Sequence, residues 1–430
     1  MKTPVTEPVE APSEPSEPSF LLTGTYSSSN KGDAAMQLAT AQMILATWPD
    51  AEVTLGAPFA AVDRSFYPRN VAVVPSTRRR LIWGSLQVVR AWLFRRLERL
   101  GLRLGFLVGN EELRSFERAD VVIDLSGDML TEDYGPHVTY SHFLPLLTAL
   151  ALDKPFIACA QSIGPFKWTR PLARFVLDRA RFITARDGIT LGLLRDAGIR
   201  DAHVRQTADM AFLLEPVDAD RVDAMLRSEN LEWPAGPVLG VSVSGLIARH
   251  YDAGVGGDFA AAIAPVIDRA VEELGASVVF VSHVTGPRQG KDDRRMAAAV
   301  RDQMRTGDRA VVLQGDYRPD ELKGLISRCF VFMGARMHAN IAALGSGVPV
   351  VALEYSHKTP GILRLFGQED ASCPVRSFDP EQVWSTLGDR WRRRAEISDV
   401  LAEKLVDVRR RSGTNVDAIR EALAGPRRRA

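Results

Sequence analysis

The chain has 430 residues, 46% of them hydrophobic and 25% charged, with a formal net charge of +1. That length gives core enough for about two domains, and the near-neutral balance excludes nucleic-acid binding by bulk electrostatics. Cys159, Cys329 and Cys373 form no CxxC pair and sit in or beside apolar runs, so buried free thiols in a reducing cytoplasm are expected. Residues 1–19, "MKTPVTEPVEAPSEPSEPS", lack an apolar h-region and read as a disordered tail rather than a signal peptide. A first βα series follows over 20–215. Its strands are expected at "FLLTG" (20–24), "DVVIDLS" (120–126), "PFIACA" (155–160), "RFITA" (181–185) and "AHVRQTA" (202–208), with a helix from about Asp33.

Residues 216–236, punctuated by Pro216 and Pro234, read as a linker. A second series over 237–378 carries strands at "VLGVSVSG" (238–245), "ASVVFVSH" (276–283), "RAVVLQG" (309–315), "CFVFMGA" (329–335) and "VPVVALEY" (348–355). Charged helices and a basic tail occupy 379–430. The fold class this implies is α/β, with two Rossmann-like, doubly wound domains facing a cleft at the carboxyl ends of their strands. No uninterrupted apolar run is long enough to span a bilayer.

The chemistry therefore belongs in loops that follow strands. In "GARMHANIAALGSGVPVVALEYSHK" (334–358), Arg336-Met337-His338 follows a strand and opens a helix. Main-chain N–H groups and the helix dipole make such an end an anion site, and an arginine adds a bidentate fork. No acidic residue occurs from Gly334 to Leu353, and Lys358 opens the next helix on the same sheet edge. The competing reading pairs Arg336 with a carboxylate of its own domain and makes His338 a cap residue. Arg186, in "ITARDGIT" (183–190), faces the cleft from the first domain, or else pairs with Asp187 within its turn.

The loop "YSSSNKGDAAM" (26–36) offers Asn30 and small residues at a helix N-terminus, suited to phosphate or sugar hydroxyls. Asp33 is either part of that site or only an N-cap, and the spacing is not a Walker loop. Asp128, in "IDLSGDML" (123–130), can accept hydrogen bonds from sugar hydroxyls or stand as a solvated loop charge. Gln161 stands at the strand-end turn "AQSIGPF" (160–166). His283 reads as a packed core histidine. The seven histidines show no HxxxH or HExxH spacing, so no metal site is expected.

Together these segments resemble the polysaccharide pyruvyl transferase family. The segments "NKGDAAM", "IDLSGDML", "AQSIGPF", "ITARDGIT", "TADMAFLL", "DDRR" and the 334–358 stretch occur in order over roughly 20–365. The resemblance implies a glycosyltransferase-B-like pair of domains, the first taking the acceptor and the second the donor, with the C-terminal helix packed back toward the first. It implies transfer of the pyruvyl group of phosphoenolpyruvate to two hydroxyls of a polysaccharide or lipid-linked sugar, forming a ketal and releasing phosphate, with no cofactor. Arg336, the Met337 backbone and His338 match the donor-binding and catalytic trio. Lys358 and Arg186 join them as donor-binding and catalytic residues. Asn30, Asp33, Asp128 and Gln161 fall on the acceptor side, where "SGD" and "SSSNKGD" depart from the more glycine-rich pattern.

Two rivals remain open. A sugar-nucleotide glycosyltransferase of the same fold also uses a helix and turn like "NIAALGSGVPVV", although such enzymes often place acids there. A non-catalytic glycan-binding relative would be expected to lack one of the cations or the histidine. Residues 76–107 hold eight arginines against one glutamate, interleaved with Trp83, Trp92, Phe94 and Phe106. They read either as a basic amphipathic surface for the inner face of a membrane or as ordinary helices covering the first sheet.

Overall fold

The computed structural model describes residues 17–78, 80–286, 292–355 and 358–425, apart from the Lys358 side chain. Seven strands form one sheet: β1 (Ser19–Thr23), β2 (Glu52–Ala57), β3 (Val71–Pro75), β4 (Val121–Asp124), β5 (Phe156–Gln161), β6 (Phe182–Ala185) and β7 (Val204–Gln206), in the order 3-2-1-4-5-6-7. Six more form the second: β8 (Val238–Ser242), β9 (Ser277–Phe280), β10 (Ala310–Val312), β11 (Val331–Gly334), β12 (Val350–Glu354) and β13 (Ser372–Pro374), in the order 10-9-8-11-12-13. Pairing is parallel in both sheets, as at β1–β4 and β8–β11. The central strands explain this, because β4, β5, β8 and β11 are buried at every position. Strands apolar on both faces need helices on both faces.

In each sheet the chain reverses direction of travel beside its first strand, between β1 and β4 and between β8 and β11. A parallel sheet opens a ligand crevice at such a point. On the first sheet, the helix Lys31–Thr47 and the C-terminal helix Arg394–Ala424 share one apolar layer with β1 and β2. The helices Leu81–Arg99, Pro136–Ala151 and Arg170–Leu177 share the layer on the opposite face.

The domains are joined by more than a tether. Asn30 and Val284 form a β-bridge, the Lys31 N–H donates to the His283 carbonyl at 2.8 Å, and the Thr285 N–H donates to the Ser29 carbonyl at 3.0 Å. Behind them one apolar cluster runs from Phe212 into Leu344 and Phe366 of the second domain, with the Phe212 and Phe366 rings 5.5 Å apart.

Several boundaries differ from the sequence reading. β2, β3 and the short edge strand β13 were not expected. The segment 216–236 is no slack linker, since it contains the helix Ala219–Ser228, which buries Val222, Met225 and Leu226. Val217 N–H donates to Asp320 O at 3.1 Å and Arg221 Nε to Glu321 at 2.8 Å, fastening that segment to the second domain. The region 379–430 divides between the domains. The helix Pro380–Arg392 places Val383 and Leu387 in the second core, while Arg394–Ala424 crosses to the first. Of the tail expected over 1–19, residues 1–16 lie outside the described residues, as do 426–430, while Ser19 already opens β1. Cys159, Cys329 and Cys373 are buried free thiols.

The crossing helix is held by polar contacts in a dry place. Asn415 Nδ2 donates to Ala208 O at 3.1 Å and to Ser412 O at 2.8 Å, and Ser412 Oγ donates to Asp209 O at 2.7 Å. Asn415→Ala should destabilise the protein by about 1–3 kcal/mol, because it strands the Ala208 carbonyl. Chemical denaturation checks this, and an unshifted midpoint would contradict the helix's anchoring role.

Candidate active site

A cavity of about 360 Å³ lies between the two sheets at their crevices, the usual size of a small-ligand site. The loops after β1 and β4 supply one wall, through Tyr26, Asn30, Asp33 and Asp128. The second domain supplies the other, through Arg249, His283, Arg336, Met337, His338 and Tyr355. The first wall carries carboxylates; the second carries cations, with Asp293 as its one lining acid.

His338 sits in the first turn of the helix Met337–Leu344 and faces back across the domain seam. Its Nε2 lies 3.6 Å from Asp209 Oδ2, an electrostatic contact slightly beyond hydrogen-bond reach. Asp209 is wholly buried and receives Arg186 Nη1 at 2.5 Å. Burial alone would raise the Asp209 carboxyl, but Arg186 and His338 hold it well below the ordinary carboxylate range. The structure thus corrects the reading of Arg186 as a cleft-facing donor ligand. Its side chain is 0% exposed, and its Nε donates to Ser162 Oγ at 2.9 Å. Arg186 ends at Asp209, behind His338, because β6 points the residue after it under the first-domain loops rather than into the cavity. Asp187 does not pair with it; that carboxylate caps the next helix through the Thr190 N–H.

Gly32 fixes the other side of the histidine. A Cβ at residue 32 would lie 2.4 Å from His338 Nδ1 and 2.7 Å from its Cγ, so any side chain there displaces the ring.

Arg336 lines the cavity and is also held by a carboxylate of its own domain, as the competing reading had it. Its Nε and Nη2 donate to the two oxygens of Asp293 at 3.0 and 2.7 Å. The pair orients the guanidinium without removing it from the wall. Arg336 occupies the N-cap of the helix Met337–Leu344, which has no side-chain cap, so the first-turn N–H groups complement an anion. Burial pushes His283 down to about 3, so at neutral pH its ring is an uncharged part of this wall. Lys358 opens the helix Lys358–Arg364 directly after β12, and its side chain lies outside the described residues.

On the opposite wall, Asn30 caps the helix Lys31–Thr47 through the Gly32 N–H, and its Nδ2 donates to Asp33 at 3.0 Å. Asp33 is therefore not the N-cap. Burial raises its carboxyl to about 6, against the pull of the Tyr26 N–H and of His338. Asp128 accepts from the Tyr134 hydroxyl at 2.9 Å and lines the cavity. Gln161 is the second correction. It is the last residue of β5, 0% exposed, and its Nε2 donates to Asp124 O and Oδ2 at 2.8 and 2.6 Å. It braces Asp124 beneath the wall instead of meeting an acceptor.

Two contributors were missed as site residues. Asp209 lies in "TADMAFLL" (207–214), and only the folded proximity to Arg186 and His338 gives it a role. Arg249, one turn into the helix Gly245–Gly254 after β8, is exposed in the cleft and has no acidic partner among the described residues. Its signal was its place after a strand beside the switch point.

The domains and their facing crevices define a glycosyltransferase-B-like protein. A Neisseria meningitidis UDP-GlcNAc 2-epimerase bound to UDP-GlcNAc has a TM-score of 0.60 to this chain, at 11% identity, covering 94% of this chain and 99% of that one. A putative UDP-N-acetylglucosamine 2-epimerase from Listeria monocytogenes also gives 0.60, at 14% identity, covering 96% and 98%. At such identities the likeness concerns the fold alone. The profile of the polysaccharide pyruvyl transferase family matches residues 30–357, and the chain belongs to that family. It is 29% identical over 263 residues to the amylovoran biosynthesis protein AmsJ of Erwinia amylovora, a match covering 60% of this chain and 62% of that protein.

Two substitutions probe the geometry. Arg186→Ala leaves the Asp209 charge buried without its arginine partner, which should cost about 3–5 kcal/mol of stability in thermal or chemical denaturation. Gly32→Ala should retain the fold yet lose most turnover by displacing His338. Full activity in the alanine variant would show that the ring's position is not critical.

Proposed function

We propose that the protein transfers the pyruvyl group of phosphoenolpyruvate to two hydroxyls of a sugar in a polysaccharide or its precursor, releasing phosphate. The observation that carries this reading is the polarity of the cleft: a cationic wall with an uncapped helix end faces an acidic wall, and His338 stands at the seam between them. Phosphoenolpyruvate brings a carboxylate and a phosphate to the first wall, and sugar hydroxyls suit the second. Family membership supports pyruvyl transfer in polysaccharide synthesis.

In this reading Arg336, Arg249, the Met337 end of the helix and Lys358 bind the donor's anionic groups, and neutralise charge as phosphate departs. His338 delivers a proton to the donor's methylene carbon, making a methyl group and an electrophilic carbon beside it. One sugar hydroxyl oxygen bonds to that carbon, and the second then replaces the phosphate oxygen. Two hydroxyl protons are released; one balances the proton spent on carbon and the other leaves with phosphate. Asp33 takes a hydroxyl proton, with Asp128 and Asn30 orienting the acceptor. Asp209, held by Arg186, acts through His338 by fixing the position of the ring at the seam.

The test is acceptor-dependent phosphate release from phosphoenolpyruvate. His338→Gln should lower turnover by about 10²–10⁴-fold while still binding donor, because the cations remain. Phosphate release in wild type that no sugar acceptor stimulates, or a fully active glutamine variant, would sink the reading.

The pH profile has a defined sign. With its carboxyl raised to about 6, Asp33 is protonated and unable to accept a proton below that pH, and ionised above it. The acidic limb of kcat/KM should therefore fall as pH drops through about 6. Asp33→Asn should abolish that limb along with most activity. An unchanged limb in the residual activity of the variant would assign it to another group.

A further inference from the structure

The helix Leu81–Arg99 is apolar on two sides. Its inner side, through Gly84, Gln87, Ala91 and Phe94, is buried in the first-domain core. Its outer side repeats Ile82, Leu86, Val89 and Leu93 at helical spacing, all exposed, with Trp83 62% and Ile82 76% accessible. The chain beyond continues the surface through Leu100, Leu102 and Leu104 to Phe106, 71% accessible. Ten of the fifteen large hydrophobic side chains exposed among the described residues fall between 82 and 106. A surface helix normally turns polar side chains outward, and an apolar patch this continuous marks an interaction site.

The charges beside the patch are mainly positive. Arg90, Arg96, Arg99 and Arg103 flank it; Glu98, the acid within the segment, is paired with Arg95 at 2.6 Å, and Arg103 is paired with Glu117 at 2.9 Å. Asp153, on the neighbouring helix end, pairs with Arg95 and Arg99 at 2.7 and 2.5 Å. A cavity beside them is lined by Trp92, Phe175, Arg96, Arg99 and Arg179. Arg96 lies over the Trp92 ring at 5.5 Å and Arg179 over the Phe175 ring at 4.1 Å. Aromatic rings carrying guanidinium groups at the edge of an apolar face match the headgroup level of a bilayer. A second copy of the chain is a poorer occupant, because a twofold contact would press these arginines against their own copies.

We infer that the outer face of residues 82–106 docks on an anionic lipid bilayer, with the apolar stripe at the acyl boundary and the arginines among phosphate headgroups. The described helices include none long and apolar enough to cross a membrane; the contact inferred is that of an amphipathic face lying in the interface. The face also has a definite relation to the cleft. The helix begins three residues after Arg78, whose guanidinium donates to Thr25 O and rests against His142, a residue of the acceptor wall. The docked face and the acceptor wall thus belong to one domain, and the domain held at the membrane is the one that would take a lipid-carried sugar. That last consequence rests on the proposed function; the docking itself does not.

The full chain is sedimented with vesicles of equal parts phosphatidylglycerol and phosphatidylcholine, and with vesicles of phosphatidylcholine alone. Binding is expected to the anionic vesicles only and to weaken with salt. The variant Ile82→Ser/Trp83→Ser/Val89→Ser, with Arg96→Glu in a second variant, should each bind about tenfold more weakly or worse, with unchanged denaturation midpoints and unchanged phosphate release toward a water-soluble acceptor. No binding to anionic vesicles at low salt overturns the proposal. So does equal binding to both vesicles, or a solution dimer that the serine variant dissociates. The vesicle readout needs no donor, so its failure is distinct from a failure of pyruvyl transfer.

Discussion

The buried pair of Arg186 and Asp209 is the interaction on which the rest of the site depends. A carboxylate removed wholly from water is tolerated only when its charge is met, and Arg186 meets it at 2.5 Å. The remaining side of Asp209 faces His338 across the domain seam. Its second oxygen accepts the Ala211 N–H at 2.9 Å, and its carbonyl accepts from Ser412 of the C-terminal helix. One residue thus ties the last strand-end turn of the first domain, the helix that closes the chain and the histidine of the second domain. The C-terminal helix is part of the site for this reason, though it touches no part of the cavity.

Around that fixed point the two crevices are given opposite character. The second domain orients a guanidinium with Asp293 and leaves a helix end uncapped. The first domain buries Asp33 and Asp124 deeply enough to push both carboxyls up to about 6. Asp33, raised in this way and lining the cavity, is placed to exchange protons near neutrality. A frame of this kind does not by itself dictate the chemistry, which depends on the residues its strand ends carry.

Much of this was legible before folding. The short apolar runs at β4, β5, β8, β11 and β12, set between helical stretches, announced two parallel sheets, and Arg336 and His338 stood out because a strand-to-helix junction is where an anion binds. The strands β2 and β3 were passed over because "EVTLGA" and "VAVVP" are broken by Glu52, Thr54, Gly56 and Pro75 and are part-exposed toward the sheet edge, and β13 spans only three edge residues. Arg186 and Gln161 were placed in the cleft because strand ends point there on average; which way each side chain turns depends on packing, and both turn beneath the wall. Asp209 gave no local signal, since its role exists only through partners 23 and 129 residues away. The segment 82–106 was legible as basic and amphipathic, but only the fold reveals that its apolar stripe faces outward.

The central claim is that His338 protonates carbon in an enol-phosphate donor, and isotope labelling tests it most directly. Turnover of phosphoenolpyruvate with acceptor in deuterated water, followed by mass spectrometry of the product, should place one deuterium in the ketal methyl group. The transfer of a sugar from a nucleotide labels no carbon. A product whose methyl group gains no deuterium, or a product without that methyl group, would contradict the account.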